Sequence, residues 1–255
     1  MDRSDSRLGS YTLGVVAHLL LLLAWYLFVR LGDVPKFVMP SPGDTLAALF
    51  VPNYDWGANV GVTATEIFGG YALALVVGVA LALVFTWSKT LEALVLPLLV
   101  TLNMIPKVAL GPLIIVWFKY GVFPNTMMAF SIAVFPILLT TARGLREIEP
   151  DLLDLVRSLR GSRWQLFTKI QLPGALPYIF AGMKVAAILA VAGAIVGEFL
   201  GSDRGLGYLM LQVQVTLDTP AMFMAVILIT LLGMLLYGCV LLLERLFVAK
   251  DARVS

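Results

Sequence analysis

The chain has almost no side chains of the kinds that bind metals or carry out nucleophilic catalysis. It contains one cysteine, Cys239, and one histidine, His18, so a disulfide framework and a Cys/His metal cluster are excluded within a single chain. Both residues lie inside apolar runs, where packing is their simplest role. Because no clustered carboxylates accompany them, the sequence offers no catalytic constellation, and an enzyme is not predicted.

Charge is also scarce, and this scarcity indicates a membrane protein. Charged residues make up 13% of the chain and hydrophobic residues 60%, with a mean hydropathy of +0.94. Soluble domains have about 25% charged and roughly 45–50% apolar residues. The net charge of +2 is too small to indicate nucleic acid binding. No A-x-A-like cleavage site follows the first apolar run, so we expect that run to be retained as a membrane span.

Six apolar stretches have about the 20 residues that a transmembrane helix needs. They cover residues 11–29, 67–87, 91–118, 122–142, 175–200 and 220–243. The third stretch contains Pro97, Pro106 and Pro112, each of which removes an intrahelical hydrogen bond. Such losses are tolerated beside other helices or a wet cavity. The third span is therefore either a broken helix that lines a translocation path or a kinked structural helix.

Lysine and arginine predict the orientation. With the N-terminus inside, twelve of them lie on the inner side and four on the outer side. The inner residues are Arg3, Arg7, Lys89, Arg143, Arg146, Arg157, Arg160, Arg163, Lys169, Arg245, Lys250 and Arg253, and the outer ones are Arg30, Lys36, Lys119 and Arg204. Because cytoplasmic loops carry the excess, we expect both termini in the cytoplasm.

This topology predicts four parts. Residues 1–34 hold the N-terminal segment and first span, and residues 35–59 form an outer loop with a short surface helix near 45–50. Residues 60–246 form the transmembrane core, which includes a polar loop at 143–173, and residues 247–255 form a cytoplasmic tail. Small residues recur every four positions in the second and fifth spans, so we expect these two inside the bundle and the fourth and sixth facing lipid.

The polar loop reads RGLREIEPDLLDLVRSLRGSRWQLFTKIQLP. Pro150 suits the start of a helix whose apolar stripe includes Leu152 and Leu159, and Gly161 permits a break. Ser162 to Gln165 form a capping box that opens a second helix, which we expect to stop before Pro173. Two short helices of this kind either fit a groove on a partner or lie on lipid headgroups.

The loop resembles the EAA loop of binding-protein-dependent ABC transporter permeases. Ile170-Gln171-Leu172-Pro173 matches the end of that pattern, whereas its front differs. Asp154, Leu155 and Val156 take the E-A-A places, Arg160 takes the glycine place, and the glycine is shifted to Gly161. Three further stretches resemble the nitrate, sulfonate and taurine branch: Met39-Pro40-Ser41-Pro42, the run from Ile105 to Leu113, and Gly197-Glu198 followed by Arg204-Gly205-Leu206-Gly207.

This resemblance implies an all-α type I ABC importer permease, with six transmembrane helices, both termini inside and a cytoplasmic coupling helix. It also implies a second permease copy, two separate ATPase subunits docked on the loop, and an extracytoplasmic binding protein, in the lipid of the bacterial inner membrane. The residues expected to contact the ATPase are Asp151, Leu152, Asp154, Leu155, Val156, Arg157, Ser158, Arg160, Gly161 and Trp164. The chain lacks G-x-x-x-x-G-K-[ST], so ATP and Mg²⁺ are expected on the partner subunits and no cofactor in this chain.

Residues expected on the translocation pathway are Asn103, Met104, Pro106, Lys107 and Glu198. Charges at membrane depth are costly, so Lys107 either guides an anion or pairs with a carboxylate. Glu66 is a further functional candidate near the outer interface, and Lys184 is expected to snorkel to the inner surface. The expected cargo is a small solute such as nitrate, a sulfonate or taurine, with a vitamin precursor or aromatic solute as the alternative. A secondary transporter without an ATPase is a more distant possibility, since no proton relay of acidic residues or histidines is present.

Overall fold

A computed structural model describes residues 3–147, 152, 156 and 158–248 of the chain, and the regular structure of this part is helical throughout. The helices are α1 (Arg3–Leu31), α2 (Pro42–Ala48), α3 (Trp56–Trp87), α4 (Lys89–Met104), α5 (Gly111–Phe118), α6 (Val122–Gly144), α7 (Arg163–Leu166), α8 (Leu172–Gly201), α9 (Leu206–Val215) and α10 (Thr219–Phe247). Short 3-10 turns occupy Pro52–Tyr54 and Lys107–Leu110.

Five helical segments of the described residues are long and apolar enough to cross a membrane. They are Thr12–Leu31, Pro52–Trp87, Val122–Gly144, Arg163–Gly201 and Thr219–Phe247. These segments include the predicted first, second, fourth, fifth and sixth spans. The chain is therefore a multi-pass membrane protein.

The predicted third span is divided into two short helices. Helix α4 ends at Met104, and Ile105 has an extended backbone with ψ 124°. This is the conformation that a following proline imposes, because the Pro106 ring clashes with a helical residue before it. The chain then passes through a 3-10 turn into α5, so this stretch forms a broken helix.

The chain forms two compact units. One comprises Met1–Trp56 and Leu209–Leu228, and the loop that follows α1 is held by side-chain hydrogen bonds. The Trp25 indole N–H donates to the Pro40 carbonyl at 3.0 Å, and the Thr219 hydroxyl donates to the Phe37 carbonyl at 2.6 Å. Tyr54 donates to the Asp218 carboxylate, which joins the loop to the start of α10.

The other unit comprises Gly57–Tyr208 and Ile229–Ser255, and its centre is a seam of small residues. Helix α6 packs along α8. A Cβ on Gly193 of α8 would lie 2.7 Å from the Ala129 Cα, and a Cβ on Gly70 of α3 would lie 2.5 Å from the Ala129 Cβ. The expected burial of the second and fifth spans is confirmed. The expectation that the fourth span faces lipid is wrong, because Ala129 and Ala133 are fully buried against these glycines.

Candidate functional site

The predicted coupling loop is described in part. Asp151, Asp154, Leu155 and Arg157 lie outside the described residues. Leu152, Val156 and Ser158 are helical. Leu152 is 39% exposed and Trp164 is 64% exposed, so both leave apolar surface uncovered in this chain.

Arg160 and Gly161 form a helix-ending turn. The Arg160 backbone is left-handed, with φ +53°, and the Gly161 N–H donates to the Val156 carbonyl at 2.9 Å. A left-handed residue followed by a bond that reaches back five residues is the Schellman pattern, in which glycine favours the left-handed place. Arg160 therefore occupies the conformation that suits the glycine of the EAA pattern.

Gly161 is required by a different contact. A Cβ on this residue would lie 2.6 Å from Val156 Cγ1. Val156 takes the place of the second alanine of the pattern, so the larger side chain leaves room only for a glycine beside it. The shifted glycine and the enlarged apolar residue are thus parts of one local arrangement.

The second half of the loop runs without a break into the fifth span. The predicted capping box is present, since Ser162 accepts the Gln165 N–H and the Gln165 side chain accepts the Ser162 N–H. The expected stop before Pro173 is wrong. A π-helical turn at Phe167–Gln171 precedes the proline, and the Leu172 N–H donates to the Phe167 carbonyl. A π turn widens the backbone where a proline ring would clash with the preceding turn, so the helix continues.

Two adjoining cavities lie at the loop end of α3, α4 and α6. Their volumes are about 410 and 540 Å³, and both are lined by Phe85, Glu92 and Arg146. Arg146 forms an ion pair with Glu92, which joins the start of α4 to the residues that follow α6. Beside it, the Arg143 guanidinium hydrogen-bonds to Glu147 and lowers the pKa of that exposed carboxyl.

Four of the predicted pathway residues lie together at the break after α4. Asn103, Met104 and Pro106 are exposed. The Lys107 ammonium donates to the Leu102 carbonyl at 2.9 Å. This carbonyl belongs to the last turn of α4, where a cation is favoured by the helix dipole. Lys107 therefore caps the broken helix with its own side chain.

Glu198 lies apart from those residues, in a buried cluster at the N-terminus of α9. The first N–H groups of a helix lack intrahelical partners. Here the Gly205 N–H donates to Asn59 Oδ1 and the Leu206 N–H donates to Thr63 Oγ1, both at 2.8 Å. The next two N–H groups, those of Gly207 and Tyr208, donate to Glu198 Oε2. The side chains of Asn59, Thr63 and Glu198 thus accept hydrogen bonds from four consecutive backbone N–H groups.

Glycines allow this close approach. Gly205 has φ +112°, a conformation that side chains disfavour, and a Cβ on Gly207 would lie 2.9 Å from Glu198 Oε2. The Arg204-Gly205-Leu206-Gly207 motif therefore builds a backbone cradle for a carboxylate. Its partners Asn59 and Thr63 were missed from the sequence, although Asn59, Thr63 and Glu66 share one helix face through their spacing of four and three residues.

Glu66 lies beside Glu198. Both residues are buried, with 0% and 1% of their surface exposed, and their carboxyl groups are in hydrogen-bonding contact. Glu66 Oε1 accepts a hydrogen bond from the Asn125 amide at 2.8 Å. Thr63 donates to Glu198 Oε1 at 2.5 Å. The cluster therefore connects α3, α6 and α8 with the turn before α9.

Lys184, which is expected to snorkel to the inner surface, forms an ion pair. Its ammonium lies 3.1 Å from Glu244 Oε1, and the two side chains are only 16% and 6% exposed. The pair connects α8 to the later part of α10. Within the described part of the chain, no group of three or more His, Cys, Asp or Glu residues could hold a metal ion.

Comparison with known proteins decides the family. Residues 74–249 match the family of binding-protein-dependent transport system inner membrane components. The chain is an ABC transporter permease. Members of this family are membrane components of transport systems, which agrees with the class of protein predicted from the sequence.

Named relatives of the permease differ in cargo. It is 35% identical to the riboflavin transport system permease protein RibX of Chloroflexus aurantiacus, over 98% of this chain and 94% of the relative. It is 28% identical to the putative aliphatic sulfonates transport permease protein SsuC of Bacillus subtilis, over 91% of this chain and 85% of the relative. The resemblance predicted from the sequence motifs is confirmed.

A solved structure shares the fold of the permease. The MetNI methionine ABC transporter, in inward-facing conformations, superposes with a TM-score of 0.55 at 20% sequence identity. The match covers 72% of this chain and 94% of the solved chain. The all-helical ABC permease architecture is therefore supported by both sequence and fold.

Proposed function

We propose that this permease forms one half of a homodimeric pathway that imports a small solute by alternating access across the bacterial inner membrane. In this proposal the chain has six spans with both termini inside, and the broken segment α4–α5 serves as the third span and borders the pathway. An extracytoplasmic binding protein delivers the solute, and two ATPase subunits that bind ATP and Mg²⁺ dock on residues 143–173.

One observation carries the coupling role of this loop. Residues Arg163–Gly201 form a continuous helical run that begins at the loop and ends three residues after Glu198. A displacement of the loop by an ATPase would therefore move the fifth span as a rigid rod. The fifth span in turn packs closely on α6 through Gly193, so the displacement would be transmitted to α6 at the centre of the bundle.

Replacing two exposed tryptophans by alanine, one at a time, tests the ATPase contact. We expect Trp164→Ala, at the start of the run, to reduce co-purification of a co-expressed partner ATPase at least several-fold, because it removes a large apolar contact of the interface. Trp117→Ala is the matched control, since Trp117 is equally exposed, at 66%, but lies on α5. Equal retention of the ATPase by both variants would contradict the docking site.

The cargo proposed first is a small anionic or organic solute such as nitrate, a sulfonate or taurine. The sulfonate relative and the motifs of the outer loop and fifth span support it. A vitamin precursor or aromatic solute is the second candidate, supported by the riboflavin relative. A thermal-shift screen of the partner binding protein against both classes of solute separates the two candidates. Uptake into vesicles driven by an ion gradient alone, without ATP, would support a secondary transporter instead.

A further inference from the structure

We propose that Glu66 and Glu198 form a proton-binding site in which Glu66 is the neutral carboxylic acid and Glu198 is the carboxylate. The two carboxyl groups are buried and in hydrogen-bonding contact. An ionised carboxylate has only acceptor atoms, so two carboxylates cannot form a hydrogen bond with each other. The contact therefore requires one proton.

The surrounding donors identify the glutamate that carries this proton. Glu198 accepts three donors, from the Thr63 hydroxyl on Oε1 and from the Gly207 and Tyr208 N–H groups on Oε2. A carboxylate with several N–H and O–H donors is stabilised in its charged form. Glu198 is therefore the acceptor.

Glu66 has the complementary environment. Its Oε1 accepts the Asn125 amide, whereas its buried Oε2 has no hydrogen-bond donor among the described residues. A buried polar atom without a partner costs about 1–3 kcal/mol. A proton on Oε2 removes this cost, because the resulting O–H can donate to Glu198.

A proton fits this site better than a metal ion does. The groups that hydrogen-bond to the two carboxyls from other side chains and from the backbone carry no charge. Asn125 of α6 and Thr63 of α3 are uncharged, and the first turn of α9 contributes backbone N–H groups. These donors repel a cation placed beside Glu198 Oε2. The described residues also provide no third carboxylate, imidazole or thiolate to complete a metal site.

The two glutamates should respond differently to replacement by glutamine. In Glu66→Gln, the new NH₂ group can donate to Glu198 while its oxygen still accepts from Asn125. In Glu198→Gln, an NH₂ group in the place of Oε2 would oppose the two backbone N–H groups, and an NH₂ group in the place of Oε1 would lose the hydrogen bond that Thr63 donates. We expect E66Q to have the thermal midpoint and expression level of the wild type. We expect E198Q to have a lower thermal midpoint and a lower expression level.

Infrared spectroscopy of the full-length chain in lipid nanodiscs tests the proton directly. At neutral pH we expect the carbonyl band of a buried protonated carboxyl group in the wild type, and loss of that band in E66Q. Glu244→Gln is the matched control, because Glu244 is also buried but is paired with Lys184. The band should survive in E244Q.

The pH dependence of the thermal midpoint provides a second test. If the folded chain keeps a proton that an exposed glutamate releases, the thermal midpoint falls as the pH rises above about 4.3, the usual value for glutamate. The slope should be shallower in E66Q. Persistence of the band in E66Q, equal damage by E66Q and E198Q, or a band that disappears on addition of Na⁺ at constant pH would each overturn the proposal.

Discussion

Arg160 shows how a single residue sets the local geometry of the predicted coupling loop. Its backbone is left-handed, with φ +53°, where a Cβ is strained and glycine is favoured. The strained turn bridges Val156 and the capping box at Ser162, so it fixes the angle between the two halves of the loop. The cost of this conformation is about 1–2 kcal/mol for a residue with a side chain.

Arg160→Gly should therefore stabilise the permease by about 1 kcal/mol, because it removes this strain. The thermal midpoint in nanodiscs is the measurement. Arg160→Ala is the control, since it removes the same charge but keeps the Cβ, and it should give no gain. A similar gain in both variants would show that the charge, and not the backbone, matters at this position.

The transmembrane core depends on the packing of helix α8 against helix α6. Because lipid tails offer helices no hydrophobic drive to associate, close contact of small residues takes over that role. Gly193 and Gly174 lie on the same helix but in opposite surroundings. A Cβ on Gly193 would meet the α6 backbone, whereas a Cβ on Gly174 would have nothing within 4 Å.

Gly193→Ala should lower stability by about 1–3 kcal/mol, because the Ala129 backbone cannot move aside for the added methyl group. Gly174→Ala should instead be neutral or raise stability by about 0.5–1 kcal/mol, the usual advantage of alanine within a helix. Thermal midpoints of the two variants in the same lipid provide the comparison. If G193A is as stable as the wild type, α6 and α8 can move apart at this position without a loss of stability.

The sequence predicts which stretches form helices better than it predicts which residues of those helices contact each other. Glycine spacing identified the buried faces of α3 and α8, but Ala129 and Ala133 are outnumbered on α6 by large apolar residues, so its burial was missed. Pro173 predicted a helix end, and a π-helical turn cannot be read from residue types. The cost of burying a charge in the membrane singled out Glu66 and Glu198 in the sequence. Their contact with each other joins residues far apart in the chain, and no local sequence pattern reveals such a contact.

At the scale of the whole molecule, the predicted topology has a direct test. The exposed Cys239 is replaced by serine, and single cysteines are then introduced at exposed positions of two loops. Asp203→Cys should react with an impermeant thiol reagent in intact cells, because the loop after the fifth span faces outward. Leu159→Cys should react only after permeabilisation. The reverse pattern would place both termini outside.

The buried contacts of Glu198 also have a consequence for biosynthesis. Thr63 and Glu198 are 135 residues apart in the chain. At a synthesis rate of roughly 5–20 residues per second, the second span waits on the order of 10 s before its partner leaves the ribosome. During that interval Glu66 must enter the translocon or the lipid alone. A neutral carboxylic acid makes this entry far less costly than a carboxylate would, so the proton held in the mature fold is one that the nascent helix already needs.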